Sequence, residues 1–154
     1  MSESVEQGLW ARQEVEDLVV RMFVAVDERD WPRAEDCFTA PFLLDMTSMV
    51  GGEPLSIAPR EVCQSWAEAF SKLDQVHHQL GNFRTRVDGD RATVQCYGTA
   101  YHYRAGIAAA LKSRSFVGSY ELDLQRQAAG GWRIVRLQFK LKFIDGNLEL
   151  EKAV

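Results

Sequence analysis

The stretch Gln75–Tyr103, QVHHQLGNFRTRVDGDRATVQCYGTAYHY, decides the fold. Asp88-Gly89-Asp90 at its centre is a hairpin turn of the Asp-Gly kind between two strand-like runs. The pattern predicts one strand over Val76 to Val87 and a second over Ala92 to Tyr103. Alternate positions of the second read Ala92, Val94, Cys96, Gly98, Ala100 and His102 on one face. The other face carries Thr93, Gln95, Tyr97, Thr99, Tyr101 and Tyr103. A face of small residues that ends in a histidine leaves space between a sheet and its helices, with one polar group at the mouth. The alternative is that Gly98 and Ala100 only make way for a bulky helix residue such as Trp66 or Phe70.

Downstream, a loop around Gly106 to Lys112 leads to a third strand, Ser115 to Gln127, and Gly130-Gly131 turns into a fourth, Trp132 to Phe143. Asp145-Gly146-Asn147 is another turn signal, followed by a tail. Upstream, the apolar period becomes helical. Leu18, Val19, Met22, Phe23 and Val26 recur at three- and four-residue spacing, which predicts a helix over residues 8 to 28. Asp30 reads as an N-cap and Pro32 fits the first turn of a short second helix. Phe38 to Met46 reads as a strand, Gly51-Gly52 and Pro54 as a turn. Pro59 opens a third helix that carries Val62, Trp66, Ala69 and Phe70. Helices first and an antiparallel meander afterwards define an α+β class, with helices on one face of a curved sheet. No repeat or linker interrupts the 154 residues, so a single domain over 1–154 is expected.

Composition narrows the function classes. The chain is 46% apolar and 26% charged, with a net charge of -4. No nucleic-acid partner is expected, because phosphate binding needs clustered Lys and Arg. The later basic residues, Arg104, Lys112, Arg114, Arg126, Arg133, Arg136, Lys140 and Lys142, are interleaved with acidic ones and read as solvated strand faces. Cys37, Cys63 and Cys96 lack metal-ligand spacing and read as small buried hydrophobes in a reducing compartment. The start, MSESVEQ, is too acidic for a signal peptide. The longest apolar run, LVVRMFVAV, is broken by Arg21, so no membrane partner is expected and the location is taken as cytoplasmic.

Three residues could carry chemistry: Asp27, His78 and His102. A carboxylate and two imidazoles suffice for proton transfer near neutral pH without metal or cofactor. Asp27 follows Val20 and Phe23 on an apolar helix face, near a C-terminus whose dipole disfavours negative charge. The competing reading is a surface Asp in the polar helix end Asp-Glu-Arg-Asp. His77 and His78 point to opposite faces of their strand, and parity alone leaves open which is inside. His78 shares its face with Val76, Leu80 and Asn82; His77 shares its own with Gln79, Gly81 and Phe83. Motifs for zinc, phosphate loops and dinucleotides are absent, so no metal and no cofactor are expected.

At these residues the chain resembles the SnoaL-like family of the nuclear transport factor 2-like superfamily, over nearly its whole length. The carriers are Ala25–Trp31 (AVDERDW), His77–Asn82 (HHQLGN), Asp88–Ala92, Tyr97–His102, Gly118–Tyr120, Gly131–Ile134 and Asp145–Asn147. The resemblance implies a cone, a strongly bent sheet wrapped around three helices from the first half of the chain, with an internal apolar pocket. It implies a homo-oligomer, dimer or trimer, formed through the outer sheet face. Asp27 and His78 are similar in position to the acid/base pair of scytalone dehydratases and hexachlorocyclohexane dehydrochlorinases, and His102 to the dehydratases' second histidine. Two pocket tyrosines of the dehydratases fall at Val26 and Met46, and a lysine of the dehydrochlorinases falls at Met22. The residues expected around a substrate are Val26, Met46, Trp66, Phe70, Leu80 and Ala100. The implied function is cofactor-free dehydration, elimination or isomerisation of a small, mostly apolar, cyclic carbonyl or hydroxyl compound. The competing function is a non-catalytic ligand-binding or assembly module, like the small subunits of ring dioxygenases.

Overall fold

A computed structural model describes residues 3–152. The first element is a long helix, α1 (Glu3–Asp27). Its buried positions Val15, Leu18, Val19, Met22, Phe23, Ala25 and Val26 form one stripe. Val20 does not belong to it, at 43% exposure, so Asp27 continues the four-residue ridge Val15, Val19, Phe23 instead. The carboxylate of Asp30 accepts from the Arg33 N–H at 3.2 Å and caps α2 (Trp31–Glu35), as its sequence position predicts. Strand β1 (Phe38–Asp45) follows.

Two short elements then appear on either side of the turn, where the sequence reading places none: α3 (Thr47–Val50) and β2 (Leu55–Ile57). They are too short to show a period, and side-chain bonds rather than propensity hold α3. Asp45 accepts from the Thr47 N–H at 3.1 Å, the Thr47 hydroxyl at 2.7 Å and the Gln138 amide at 2.8 Å. Ser48 donates to the Phe139 carbonyl at 2.7 Å and accepts from the Leu141 N–H at 2.9 Å. Pro59 does open α4 (Pro59–Ala69), where the Glu61 carboxylate accepts from the Ala58 N–H at 3.2 Å. There are thus four helices among the described residues, not three.

The meander comprises β3 (Gln75–Asp88), β4 (Arg91–Tyr103), β5 (Ser113–Arg126) and β6 (Trp132–Gly146). The six strands form one sheet in the order β2-β1-β6-β5-β4-β3, antiparallel except where β1 runs parallel to β6. Burial in β4 alternates without error, Ala92, Val94, Cys96, Gly98, Ala100 and His102 being inside. Irregularities interrupt the pairing of β3 with β4, of β5 with β6 and of β1 with β6. Such bulges bend a strand and raise its twist, which curls this open sheet around the helices.

The bulge in β3 corrects one reading. Asn82 has φ +53, and the register slips between Gly81 and Arg84. The inner face therefore changes phase, from Val76, His78 and Leu80 to Phe83, Thr85 and Val87. Asn82 is exposed, while Phe83 joins the core on the side of His78.

The core fills the concave side, with Met22, Phe23, Leu122, Ile134, Leu137 and Phe139 almost fully buried. The convex face leaves Tyr97, Tyr101 and Tyr103 exposed. A side chain at Gly98 would collide with the ring of Tyr120, which Phe23 and Phe139 hold from both sides at centroid distances of 4.6 and 4.8 Å. Gly98→Ala is expected to lower stability by roughly 1–3 kcal/mol, as overpacking does, measured by urea denaturation.

Candidate active site

Between α1, α4 and the sheet lies a cavity of about 360 Å³. Its floor is Phe116, Tyr120, Leu137 and Phe139 from β5 and β6, and its helical wall is Met22, Phe23, Val26, Trp66 and Phe70. The exposed lining residues Met49, Val50 and Ala69 mark the mouth, between α3 and the end of α4. Of the residues expected around a substrate, Val26, Met46, Trp66, Phe70 and Ala100 line this cavity. Leu80 does not; it packs into the core, in ordinary contact range of a side chain placed at Gly98.

Asp27 and His78 meet at the cavity wall. The strand backbone and the ring of His78 grip the same carboxylate. The His78 N–H donates to Oδ2 of Asp27 at 2.8 Å, and ring Nδ1 lies 2.6 Å from Oδ1. Side-chain exposures of 15% for Asp27 and 10% for His78 rule out the reading of a solvated surface carboxylate. An ionised carboxylate only accepts, so the neutral ring carries its proton on Nδ1 and presents a bare Nε2. Among the described residues Nε2 has no hydrogen-bond partner. Phe23 packs on this ring at 5.1 Å and fixes its plane. His77, the other candidate, is exposed on the convex face beside Tyr101.

His102 lies on the same inner face, one diagonal step from His78, because His78 pairs with Ala100 and Val76 with His102. It is 7% exposed and packed between the rings of Phe70 and Phe116. Its Nδ1 lies 3.3 Å from Nε and 3.1 Å from Nη2 of Arg114, the residue opposite it on β5. Burial, then the Arg114 charge, draws the His102 imidazole down to about 4, against the opposing pull of Glu151 and Asp27. His78 and His102 therefore line one cavity, with Asp27 bonded to His78 at its wall, and the two histidines have different partners.

Sequence reasoning missed Arg114 and Glu151. Arg114 reads as a solvated strand residue, yet it is paired with Glu151 and lines the cavity. Strand parity carries a signal, since Arg114, Phe116, Gly118 and Tyr120 alternate onto the cavity side. Glu151 sits in what reads as a bare tail. The cysteines are buried as expected, and burial pushes the Cys63 and Cys96 thiols up to about 12. Among the described residues no helix is long and apolar enough to cross a membrane.

An α+β cone with an apolar cavity and an acid–imidazole pair at its wall defines a class of fold with many members. The chain belongs to the SnoaL-like domain family, whose model matches residues 7–138. An uncharacterised protein of Mycobacterium tuberculosis, Rv2910c, is 27% identical over 127 residues, 81% of each chain. The structure of Kfla4162 from Kribbella flavida is similar with a TM-score of 0.86 and 22% identity, covering 97% of this chain and 99% of that one. Hexachlorocyclohexane dehydrochlorinase LinA-type3 from Novosphingobium barchaimii is similar with a TM-score of 0.73 and 15% identity, covering 91% and 92%.

The burial of His102 carries a measurable consequence. Its folded value lies below the ordinary 6.5, so the unfolded chain takes up the proton first as pH falls. Its contribution is neutral above about 6.5 and becomes destabilising between there and about 4, by roughly 3 kcal/mol in all. Urea denaturation at pH 7 and pH 4.5 is expected to show a smaller loss of stability for His102→Gln than for the unsubstituted chain.

Proposed function

We propose that this cavity is the active site of a cofactor-independent acid/base enzyme, an eliminating lyase or isomerase, acting on a small, neutral, mostly apolar carbonyl or hydroxyl compound. One observation carries the reading: the Asp27 carboxylate spans the His78 N–H and Nδ1 at 2.8 and 2.6 Å, which leaves Nε2 bare beside an apolar cavity. Nε2 removes a carbon-bound proton, and Asp27 stabilises the imidazolium that results. His102 donates a hydrogen bond to the carbonyl or departing oxygen. Because His102 stays neutral near pH 7, the proton collected by His78 is the one returned, either to another carbon or to the departing oxygen. The first outcome is isomerisation and the second loss of water.

Charge supports a neutral substrate. Arg114 is balanced by Glu151, and Asp27 leaves one further negative charge at the wall. The rest of the lining is mostly apolar, which favours recognition by shape. The 2.6 Å contact favours catalysis over the binding-module alternative, which has no use for an oriented base. The likeness to a dehydrochlorinase in fold is consistent with elimination.

The test is exchange of the α-protons of cyclic ketones for solvent deuterium, followed by NMR, which detects proton removal whatever step comes next. Asp27→Asn is expected to slow exchange by about 10²–10⁴-fold and His78→Ala to abolish it, with the fold intact by circular dichroism. Equal rates in all three proteins overturn the proposal.

A further inference from the structure

The cavity contains a second ionic pair that the proton transfer above does not use. Arg114 reaches it from β5, and Glu151 reaches it from the segment after β6. Nη1 of Arg114 donates to Oε2 of Glu151 at 2.7 Å, and Nη2 donates to Oε1. The remaining edge of the guanidinium faces Nδ1 of His102. A guanidinium has only donors and keeps its proton in proteins. Nδ1 of His102 must therefore accept, and the ring proton must sit on Nε2.

The segment that delivers Glu151 is built for its position. Gly146 turns with φ +98, and any side chain there would collide with the backbone of Ser113. Asn147 donates its N–H to the Ser113 carbonyl at 2.9 Å and its amide to Leu111 at 3.0 Å. Its Oδ1 accepts from the Glu149 N–H at 3.0 Å. Leu150 is fully buried in a satellite cluster with Leu73, Val76 and Ile107. Arg104 donates to the carbonyls of Leu150 and Glu151, both at 3.1 Å. A loosely attached tail has no such set of bonds.

We infer that Arg114 and Glu151 are positioning residues for His102, and that together they fix it as a neutral ring with its proton on Nε2. Glu151 aims the guanidinium and cancels its charge; Arg114 occupies Nδ1 and disfavours a second proton on the ring. His102 then offers one hydrogen bond to a substrate oxygen and cannot compete with His78 as a base. The two histidines are held in opposite tautomers by opposite partners, a carboxylate for His78 and a guanidinium for His102. The use of that donor in catalysis rests on the proposed proton transfer; the position of the proton does not.

The experiment is long-range proton–nitrogen NMR of the histidine rings in the full-length nitrogen-15-labelled chain at pH 7. The unsubstituted protein is expected to show His102 protonated at Nε2 and bare at Nδ1, with His78 the reverse. Arg114→Met is expected to raise the His102 titration midpoint by about one unit or more and to mix its tautomers, while His78 keeps its own. Arg114→Lys, still a pure donor, restores the Nε2–H form, and Glu151→Ala gives an intermediate mixture. A His102 proton on Nδ1 in the unsubstituted protein overturns the inference, and that reading needs no variant to fold. Unchanged His102 signals in folded Arg114→Met overturn it too. Should the tautomers be as expected while the ketone exchange rate ignores His78→Ala, the proposed function falls and the placement of the His102 proton stands.

Discussion

One carboxylate joins the two halves of this molecule. Asp27 is the last residue of α1, and both of its oxygens are taken by a single strand residue, His78, through backbone and ring. A negative charge at a helix C-terminus works against the dipole, and partial burial adds a desolvation cost. Two short hydrogen bonds, one to a fixed backbone N–H, offset that cost and leave the carboxylate a single orientation. The pair ties the end of α1 to β3, the strand along which the helix packs.

The same cavity holds two kinds of ionic contact with contrasting effects. At one wall a carboxylate holds an imidazole by its Nδ1 proton and leaves Nε2 bare. At the other, burial between two aromatic rings and then a guanidinium lower the His102 imidazole below its ordinary value. Two chemically identical side chains thereby acquire different tasks without any change of residue type. In an apolar site of this size such polar partners are few, so each one weighs heavily.

Much of the fold was legible because it follows from local periodicity. The six inward residues of β4, the cap at Asp30 and the helix opened by Pro59 are consequences of neighbours in sequence. Asp27 and His78 were legible as candidates for the same reason, and the family resemblance paired them. What escaped depends on distant partners. Helix α3 is held by Asp45, Gln138 and the backbone of β6, none of which a local window sees. Arg114 and Glu151 are separated by the whole of β6, so their pairing had no local signature. Leu80 shares the inner face with His78 yet stays out of the cavity, because the ring of Tyr120 lies over Gly98 and the core there is filled.

The bulge at Asn82 behaves like a frameshift in a strand. Before it the even-numbered side chains face inward; after it the odd-numbered ones do. Removing Asn82 would restore a regular ladder in which His78, Leu80, Phe83, Thr85 and Val87 all still face inward, because the extra residue is what changes the parity. The bulge is thus a device for bend and twist rather than for choosing which side chains face the core. A single insertion or deletion elsewhere between His78 and the hairpin would turn every side chain beyond it to the other face, whereas loss of the bulged residue would alter only the bend.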